Sequence, residues 1–174
     1  MIEASLLQVY TDRRWCAIHT RARHEKKVAA ACGALKLPCY LPLRIHRTFS
    51  GGKVNTFQLP MFPGYVFAAV TAGETTHLKR TGSVAQRIEA ADESLLLRDL
   101  ANVLLVESAE VETAEVRRLE PGQRVIVMAG PLAGVTGVVQ RYKNRTRLQI
   151  VVGAIGQGIL IDVSEDVLLP ATEY

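Results

Sequence analysis

The C-terminal third of the chain constrains the fold most, because short runs of β-branched residues alternate there with glycines from residue 122 onward. Glycine and β-branched residues both disfavour an α-helix, and the apolar runs are too short to form one. Closely spaced strands joined by tight turns satisfy both features, so the sequence predicts a small five-stranded β-barrel over residues 119–174. Its strands are expected at residues 125–127, 138–139, 150–152, 159–161 and 167–169.

The first 106 residues combine helical and strand patterns. Apolar residues at 28, 32 and 35 repeat with the spacing of an amphipathic helix, whereas 65–70 is a continuous apolar run typical of a buried strand. The pattern predicts an α+β fold, an α/β sandwich built on an antiparallel sheet, over residues 1–106. The glutamate-rich segment 107–118 is expected to be a linker. The expected elements are a strand at 15–20, a helix at 24–36, a two-stranded ribbon at 39–59, a strand at 65–70, a helix at 74–80, a strand at 84–88 and a helix at 93–105.

Composition excludes several classes of protein. With 174 residues, 48% of them hydrophobic and 22% charged, the chain can form packed cores and is not a disordered protein. No apolar run approaches the roughly 20 residues of a membrane span, and the N-terminus lacks a secretory pattern. We therefore expect a cytoplasmic monomer without membrane contact. Cys16, Cys32 and Cys39 contain no C-x-x-C pair and the histidines are scattered, so neither a metal nor a cofactor is expected.

Charge is unevenly distributed along the chain, although the net charge is only +4. Ten lysines and arginines lie between Arg13 and Lys53, where Glu25 is the only acidic residue, whereas residues 89–120 are rich in glutamate and aspartate. A basic block of this kind creates the field that phosphate groups require, so contact with a nucleic-acid backbone is one interpretation. A solvated basic surface without a ligand is the alternative.

Two segments carry a resemblance to a known family. The first is the string FPGYVF at residues 62–67, which follows a tryptophan-bearing strand and a basic helix. The second is PGQRVIV at 121–127 followed by GPLAGVTGVV at 130–139, which resembles a KOW motif. In this order and spacing, the chain resembles the NusG family from about Arg14 to Pro170. The resemblance implies a NusG N-terminal (NGN) domain followed by an SH3-like KOW barrel, in a transcription elongation and antitermination factor that is not an enzyme.

The resemblance also implies two contacts with RNA polymerase. In this family the N-terminal domain docks on the clamp helices of the largest subunit, which requires exposed aromatic rings that are rigidly held. Some specialised members touch the opposite jaw through a threonine-rich segment. Two alternatives remain open, since the aromatic rings could be core residues and Thr75 could cap a helix. The matching residues are Trp15, Phe62, Pro63, Tyr65 and Phe67 for the clamp helices, and Thr75 and Thr76 for the jaw.

Contacts with nucleic acid and with a further protein follow from the same resemblance. The start of the first helix matches the place where specialised members face upstream or non-template DNA, chiefly through phosphate groups. In the general factor, a barrel loop with phenylalanine before glycine reaches Rho or a ribosomal protein. The pair here is Ile155–Gly156, and an isoleucine can still fill an apolar pocket of the barrel's partner. The matching basic residues are Arg21, Arg23, His24, Lys26 and Lys27.

Two alternatives concern the biological role of such a factor. The compact ribbon at 39–59, the Thr75–Thr76–His77 segment and the substitution at Ile155 favour a specialised paralogue that acts on selected operons over the housekeeping factor. A KOW-type protein that binds RNA or the ribosome would instead use the basic turn at residues 141–147.

An enzyme is the remaining alternative. It would need Cys16 or Cys39 as a nucleophile beside His19 or His46 as a base. Cys16 and His19 lie three residues apart on a presumed strand, so their side chains point to opposite faces. The sequence also lacks a phosphate-binding loop and a dinucleotide fingerprint, so no catalytic residue is expected.

Overall fold

A computed structural model describes residues 7–50, 53–109, 122–142, 145–163 and 167–171 of the chain. Contacts within the chain divide it into two compact units, residues 1–97 and 98–174, which are described separately. A short 3-10 turn, Gly153–Ile155, connects the ninth and tenth strands. The elements are β1 (Arg14–Thr20), α1 (Glu25–Ala34), β2 (Cys39–Tyr40), β3 (Leu43–Ser50), β4 (Lys53–Pro60), β5 (Tyr65–Val70), α2 (Ala72–Arg80), β6 (Val84–Glu89), α3 (Glu93–Ala109), β7 (Arg124–Val127), β8 (Thr136–Tyr142), β9 (Arg145–Val152), β10 (Gln157–Asp162) and β11 (Leu168–Pro170).

The first unit is built on a four-stranded antiparallel sheet in the order β2-β5-β1-β6. The two central strands, β1 and β5, pair with Ile18 opposite Val66. The side chains of Ile18 and Val66 form one core with Val28 and Cys32 of α1 and Leu78 of α2. Helices packed on an antiparallel sheet confirm the α+β arrangement that the sequence predicts.

The second helix begins at Ala72, ahead of the predicted start at residue 74, because Thr71 caps it. The Thr71 hydroxyl accepts a hydrogen bond from the Glu74 N–H at 3.2 Å, and the Glu74 carboxylate accepts one from the Thr71 N–H at 2.9 Å. This reciprocal pair is a capping box. The alternative in which Thr75 caps the helix is therefore wrong. Thr75 is buried, and its hydroxyl donates to the Thr71 carbonyl at 2.8 Å.

The capping carboxylate should make the stability of the first unit depend on pH. Arg13 donates to Glu74 from Nε at 3.1 Å and from Nη2 at 2.8 Å, and these hydrogen bonds lower the pKa of Glu74 below its ordinary value of 4.5. Because the folded pKa is depressed, the stabilisation is present above the unfolded pKa and is lost as the pH falls through the folded pKa. We expect the Tm of the wild type to fall more steeply below about pH 4.5 than that of Glu74→Gln, in thermal unfolding followed by circular dichroism. The control is Glu89→Gln at an exposed carboxylate, and its Tm should depend on pH as that of the wild type does. Equal pH slopes of the Tm in the wild type and in Glu74→Gln would contradict the prediction.

The third helix extends beyond its predicted end at residue 105. The Asp92 carboxylate caps it by accepting hydrogen bonds from the Ser94 and Leu95 N–H groups at 2.8 and 3.2 Å, and the helix ends at Ala109. It therefore includes the first residues of the predicted linker, and residues 110–118 of that linker lie outside the described part. The boundary between the two compact units falls within this helix, after residue 97. No helix among the described residues is both long and apolar enough to cross a bilayer.

The second unit contains the five predicted strands as an antiparallel sheet in the order β10-β9-β8-β7-β11. Its core includes Val125, Val139 and Leu148. Gly137 lets β8 approach β9 closely, since a Cβ there would lie 2.6 Å from the Gln149 carbonyl oxygen. β10 pairs with β9 at one end of this order and β11 pairs with β7 at the other end, so β10 and β11 are the two edges of the sheet. In the part of the unit that the structure describes the sheet is therefore open, and the closed barrel predicted from the sequence is not observed.

Candidate functional site

The FPGY segment forms a tight turn between β4 and β5. The Phe62 carbonyl accepts a hydrogen bond from the Tyr65 N–H at 3.1 Å, and Gly64 has a φ of +86°. A type II turn typically has proline at its second position and a glycine with a positive φ at its third, and Pro63 and Gly64 occupy these positions. The Gly64 N–H donates to Glu25 Oε1 at 2.7 Å, and the Gly64 carbonyl accepts from the Thr20 N–H at 2.8 Å. The turn is therefore fixed to both α1 and β1.

Three of the aromatic residues predicted to dock on polymerase are buried. Trp15, Phe62 and Phe67 are each no more than 1% exposed, and the rings of Phe62 and Phe67 meet edge to face with centroids 6.0 Å apart. The Trp15 indole N–H donates to the Gln8 carbonyl at 2.8 Å. The prediction that these three rings are exposed is wrong, and the alternative that they are core residues is confirmed. The reason is that the central strands of the sheet are covered on both faces.

A smaller set of residues at the turn remains accessible. Pro63 is exposed, and the rings of His19 and Tyr65 are partly exposed. These two rings stack with centroids 5.1 Å apart and an angle of 24° between their planes. A Cβ on Gly64 would lie 3.6 Å from the His19 ring, so the turn packs closely against the stack. We call Pro63, Tyr65 and His19 the docking patch.

The predicted nucleic-acid residues lie together at the start of α1. Glu25, the acidic residue among them, is only 7% exposed because its carboxylate accepts the hydrogen bond from the Gly64 N–H. The negative charge is thus directed inward, and the exposed charges of residues 21–27 are all positive, which suits phosphate groups. His24 is partly exposed. The exposed cations are Arg21, Arg23, Lys26 and Lys27.

The two predicted jaw-contacting threonines differ in exposure. Thr75 is buried, with 5% of its surface exposed, so it is not available to a partner in this conformation. Thr76 is exposed, and its hydroxyl donates to the Ala72 carbonyl at 3.1 Å. Successive residues of a helix point about 100° apart, which is why a pair adjacent in sequence does not present one surface.

The predicted partner-binding pair lies on the turn between β9 and β10. Ile155 ends the 3-10 turn and is partly exposed, and Gly156 follows it in the left-handed conformation with a φ of +61°. Within this unit, Asp99 Oδ2 accepts a hydrogen bond from the Gly153 N–H at 3.0 Å. Burial raises the pKa of Asp99, and the hydrogen bond from Gly153 opposes this shift.

The residues considered for an enzyme are not arranged for catalysis. Cys16 lies in the core with α1, whereas His19 stacks on Tyr65 at the other face of β1. Burial raises the pKa of the Cys16 thiol, which disfavours the thiolate that a nucleophile needs. Among the described residues, no group of three or more His, Cys, Asp and Glu side chains could hold a metal ion.

Two residues that shape this site were not predicted from the sequence. Glu25 fixes the turn to α1, and the signal was its position as the only acid in a basic block. His19 forms the ring stack with Tyr65. Side chains alternate between the two faces of a strand, so the spacing of Trp15 and His19 along β1 indicated that both lie on the same face.

One family of known proteins matches a large part of the chain. Residues 13–101, just over half of the chain, match the family model described as "Transcription termination factor nusG". This range includes the turn, the docking patch and the basic start of α1. None of the curated proteins gives a significant match.

The chain is also similar to solved structures of low sequence identity. The structure "Domain interaction in Thermotoga maritima NusG" is 15% identical, covers 92% of this chain and 98% of that chain, and has a TM-score of 0.55, which supports the fold. Two structures of the "MjSpt4:Spt5 complex", in conformations B and A, are 17% and 19% identical and cover 92% of this chain and 98% and 99% of theirs. Their TM-scores are 0.30 and 0.28. On the match of residues 13–101, the chain belongs to the NusG family of transcription factors.

Proposed function

We propose that this protein is a non-enzymatic transcription elongation factor that binds RNA polymerase through its first unit and promotes processive elongation or antitermination. The observation that carries the proposal is the turn at residues 62–65, which is hydrogen-bonded to α1 and β1 while it exposes Pro63 and the Tyr65 ring. Family membership supports a role in transcription.

The clamp helices of the largest polymerase subunit are the proposed partner of the docking patch. Tyr65 is held by its stack on His19 and by the turn hydrogen bond to Phe62, so little side-chain entropy remains to be lost on binding. Tyrosine is also enriched among residues that dominate binding energy. The buried rings of Phe62 and Phe67 pack against each other and are not accessible to the partner.

Upstream or non-template DNA is the proposed partner of the basic start of α1. The hydrogen bond between Glu25 and the Gly64 N–H joins this helix to the turn, so docking on polymerase would also fix the position of the exposed cations. Contacts with phosphate groups position a protein on DNA without specifying sequence. This arrangement fits a factor that travels with polymerase along many sequences.

The second unit is proposed to recruit a further protein, such as Rho or a ribosomal protein, through Ile155 and Gly156. We propose domain limits of 1–106 and 119–174 with a linker at 107–118, and closure of the second domain into a KOW barrel. The isoleucine in place of the usual phenylalanine favours a specialised paralogue that acts on selected operons; the housekeeping factor is the alternative.

Loss of the Tyr65 ring should weaken binding to polymerase while the protein stays folded. We expect Tyr65→Ala to lower the affinity for core RNA polymerase by at least about tenfold, as truncation of a central aromatic anchor does. Affinity can be measured by titrating labelled protein with core enzyme at moderate salt. Circular dichroism and thermal unfolding of the variant would establish that it is folded.

The matched control is Leu160→Ala, which removes an apolar side chain that is 53% exposed in the second unit. It should leave the affinity unchanged. Unaltered binding by folded Tyr65→Ala, or an equal loss in both variants, would exclude the docking patch as the contact surface.

The RNA- or ribosome-binding alternative gains no specific support. It used the basic turn at 141–147, and within that turn Arg147 donates from Nε to Asp162 Oδ1 at 2.7 Å. The charge of this arginine is thus paired within the sheet. The side chains of residues 141–145 lie outside the described part of the chain.

A further inference from the structure

The β3–β4 ribbon exposes most of its described side chains. The two strands pair with each other as a sheet of their own, separate from the four-stranded sheet. Every side chain from Lys53 to Leu59 is exposed, and Arg44 and Ile45 on β3 are exposed as well. Val54 and Phe57 are 60% and 50% exposed, so these apolar groups belong to no core. The ribbon is therefore available for binding.

The strand register divides these exposed residues between two faces. Residues directly opposite each other share a face, and the faces alternate along each strand. Arg44 lies opposite Leu59, and Lys53, Asn55 and Phe57 follow at every second position of β4. We call these five residues the Phe57 face. The opposite face carries the exposed residues Ile45, Val54, Thr56 and Gln58, and Arg47 pairs with Thr56 in the register of this face.

Charge on the ribbon is of one sign. The sequence contains no aspartate or glutamate between Glu25 and Glu74, and the ribbon itself contains Arg44, Arg47 and Lys53. On the Phe57 face the exposed cations Arg44 and Lys53 lie towards opposite ends, about 20 Å apart along the strand. Asn55 and Phe57 lie between them. This surface is complementary to a polyanion with phosphate groups at both ends of the contact.

The dimensions of the ribbon select one kind of polyanion. Two paired strands lie about 4.8 Å apart, and the major groove of B-form DNA, about 12 Å wide, admits a two-stranded ribbon. The major groove of A-form RNA is too deep and narrow for side chains to read. Single strands are bound by several aromatic rings that stack on successive bases, whereas Phe57 is the only phenylalanine, tyrosine or tryptophan that the register assigns to this face. A protein partner is disfavoured because the apolar side chains are divided between two faces.

We propose that the Phe57 face of the β3–β4 ribbon enters the major groove of duplex DNA. Arg44 and Lys53 contact the phosphate groups that border the groove. Asn55 donates and accepts hydrogen bonds at base edges, and Phe57 contacts the methyl groups of thymines. This goes beyond the proposed function by adding a second DNA-binding element, made of residues other than those at the start of α1.

Binding of the full-length protein to a labelled DNA duplex of about 20 base pairs, roughly two helical turns, tests the proposal without polymerase. By fluorescence anisotropy at low salt, Arg44→Ala/Lys53→Ala should weaken binding by at least about tenfold and reduce the slope of log affinity against log salt by about 2. Phe57→Ala should weaken binding without changing that slope. The matched control, Thr56→Ala/Gln58→Ala on the opposite face, should bind like the wild type.

Three outcomes would overturn the proposal. The first is unchanged affinity in Arg44→Ala/Lys53→Ala, and the second is equal loss in the opposite-face control. The third is that the single strand or an RNA duplex of the same sequence binds as tightly as the DNA duplex. If duplex binding is instead lost only in Lys26→Ala/Lys27→Ala, the ribbon is excluded and the proposed DNA contact of α1 stands. None of these results depends on docking to polymerase, which the Tyr65→Ala titration tests separately.

Discussion

Replacing Phe67 by alanine is expected to destabilise the first unit by about 3–5 kcal/mol, the usual loss for a buried phenylalanine. The ring is fully buried and meets Phe62 edge to face, so its removal would leave a cavity at the centre of the sheet. Trp15 is the only tryptophan of the chain and is 1% exposed. Urea unfolding followed by tryptophan fluorescence therefore reports on this unit alone.

The result would separate a core role from a docking role. Phe57→Ala removes the same side chain from a position that is 50% exposed, and it should change the free energy of unfolding by no more than about 0.5 kcal/mol. If Phe67→Ala left stability unaltered but abolished binding to polymerase, the assignment of Phe67 to the core would be wrong. We expect the opposite result, with binding reduced only in proportion to the unfolded fraction.

Replacing Glu25 by alanine is expected to destabilise the first unit by about 2–3 kcal/mol, because it removes a hydrogen bond to a charged group at a buried position. The Gly64 N–H would lose its 2.7 Å partner, and the turn would lose its tether to α1. Affinity for polymerase should fall as well, since the docking patch would no longer be held in one conformation. Urea unfolding followed by Trp15 fluorescence measures the first effect, and titration with core polymerase measures the second.

Two variants distinguish the tether from a general effect of charge. Glu25→Gln keeps an oxygen acceptor for the Gly64 N–H and should recover part of both losses. Glu89→Ala removes a carboxylate whose side chain is 73% exposed and pairs with Arg87 at 3.3 Å, so it should change the free energy of unfolding by no more than about 1 kcal/mol and leave the affinity unchanged. If Glu25→Ala were as stable as the wild type, the hydrogen bond would not be what fixes the turn.

The order of helices and strands was largely predictable from the sequence because each element buries a pattern of its own. The apolar run at 65–70 and the helical spacing of residues 28, 32 and 35 correspond to β5 and α1. The start of α2 was missed although its signal was present. Thr71 and Glu74 have the spacing of a capping box, and the first turn of the helix has no apolar residue larger than Ala72 to mark it.

Exposure of the aromatic residues could not be predicted in this way. On a strand with one solvated face, alternation separates buried from exposed side chains. β1 and β5 are central strands with both faces covered, so Trp15 and Phe67 are buried whichever face they lie on. The sequence therefore left two alternatives open for each ring. The ribbon shows the converse, because Phe57 is exposed on β4, where every side chain from Lys53 to Leu59 is exposed.

By itself, then, the sequence determined the strands and helices, the two-part organisation, the sharp turn at Pro63–Gly64 and the positive charge of the first fifty residues, because these follow from local backbone preferences and composition. Only the tertiary structure decided which of these residues are accessible. Glu25 turns inward because the Gly64 N–H lies within 2.7 Å of it, and Tyr65 stays at the surface because His19 stacks beside it. Both contacts join residues far apart in the chain, and such contacts arise from packing that no local pattern encodes.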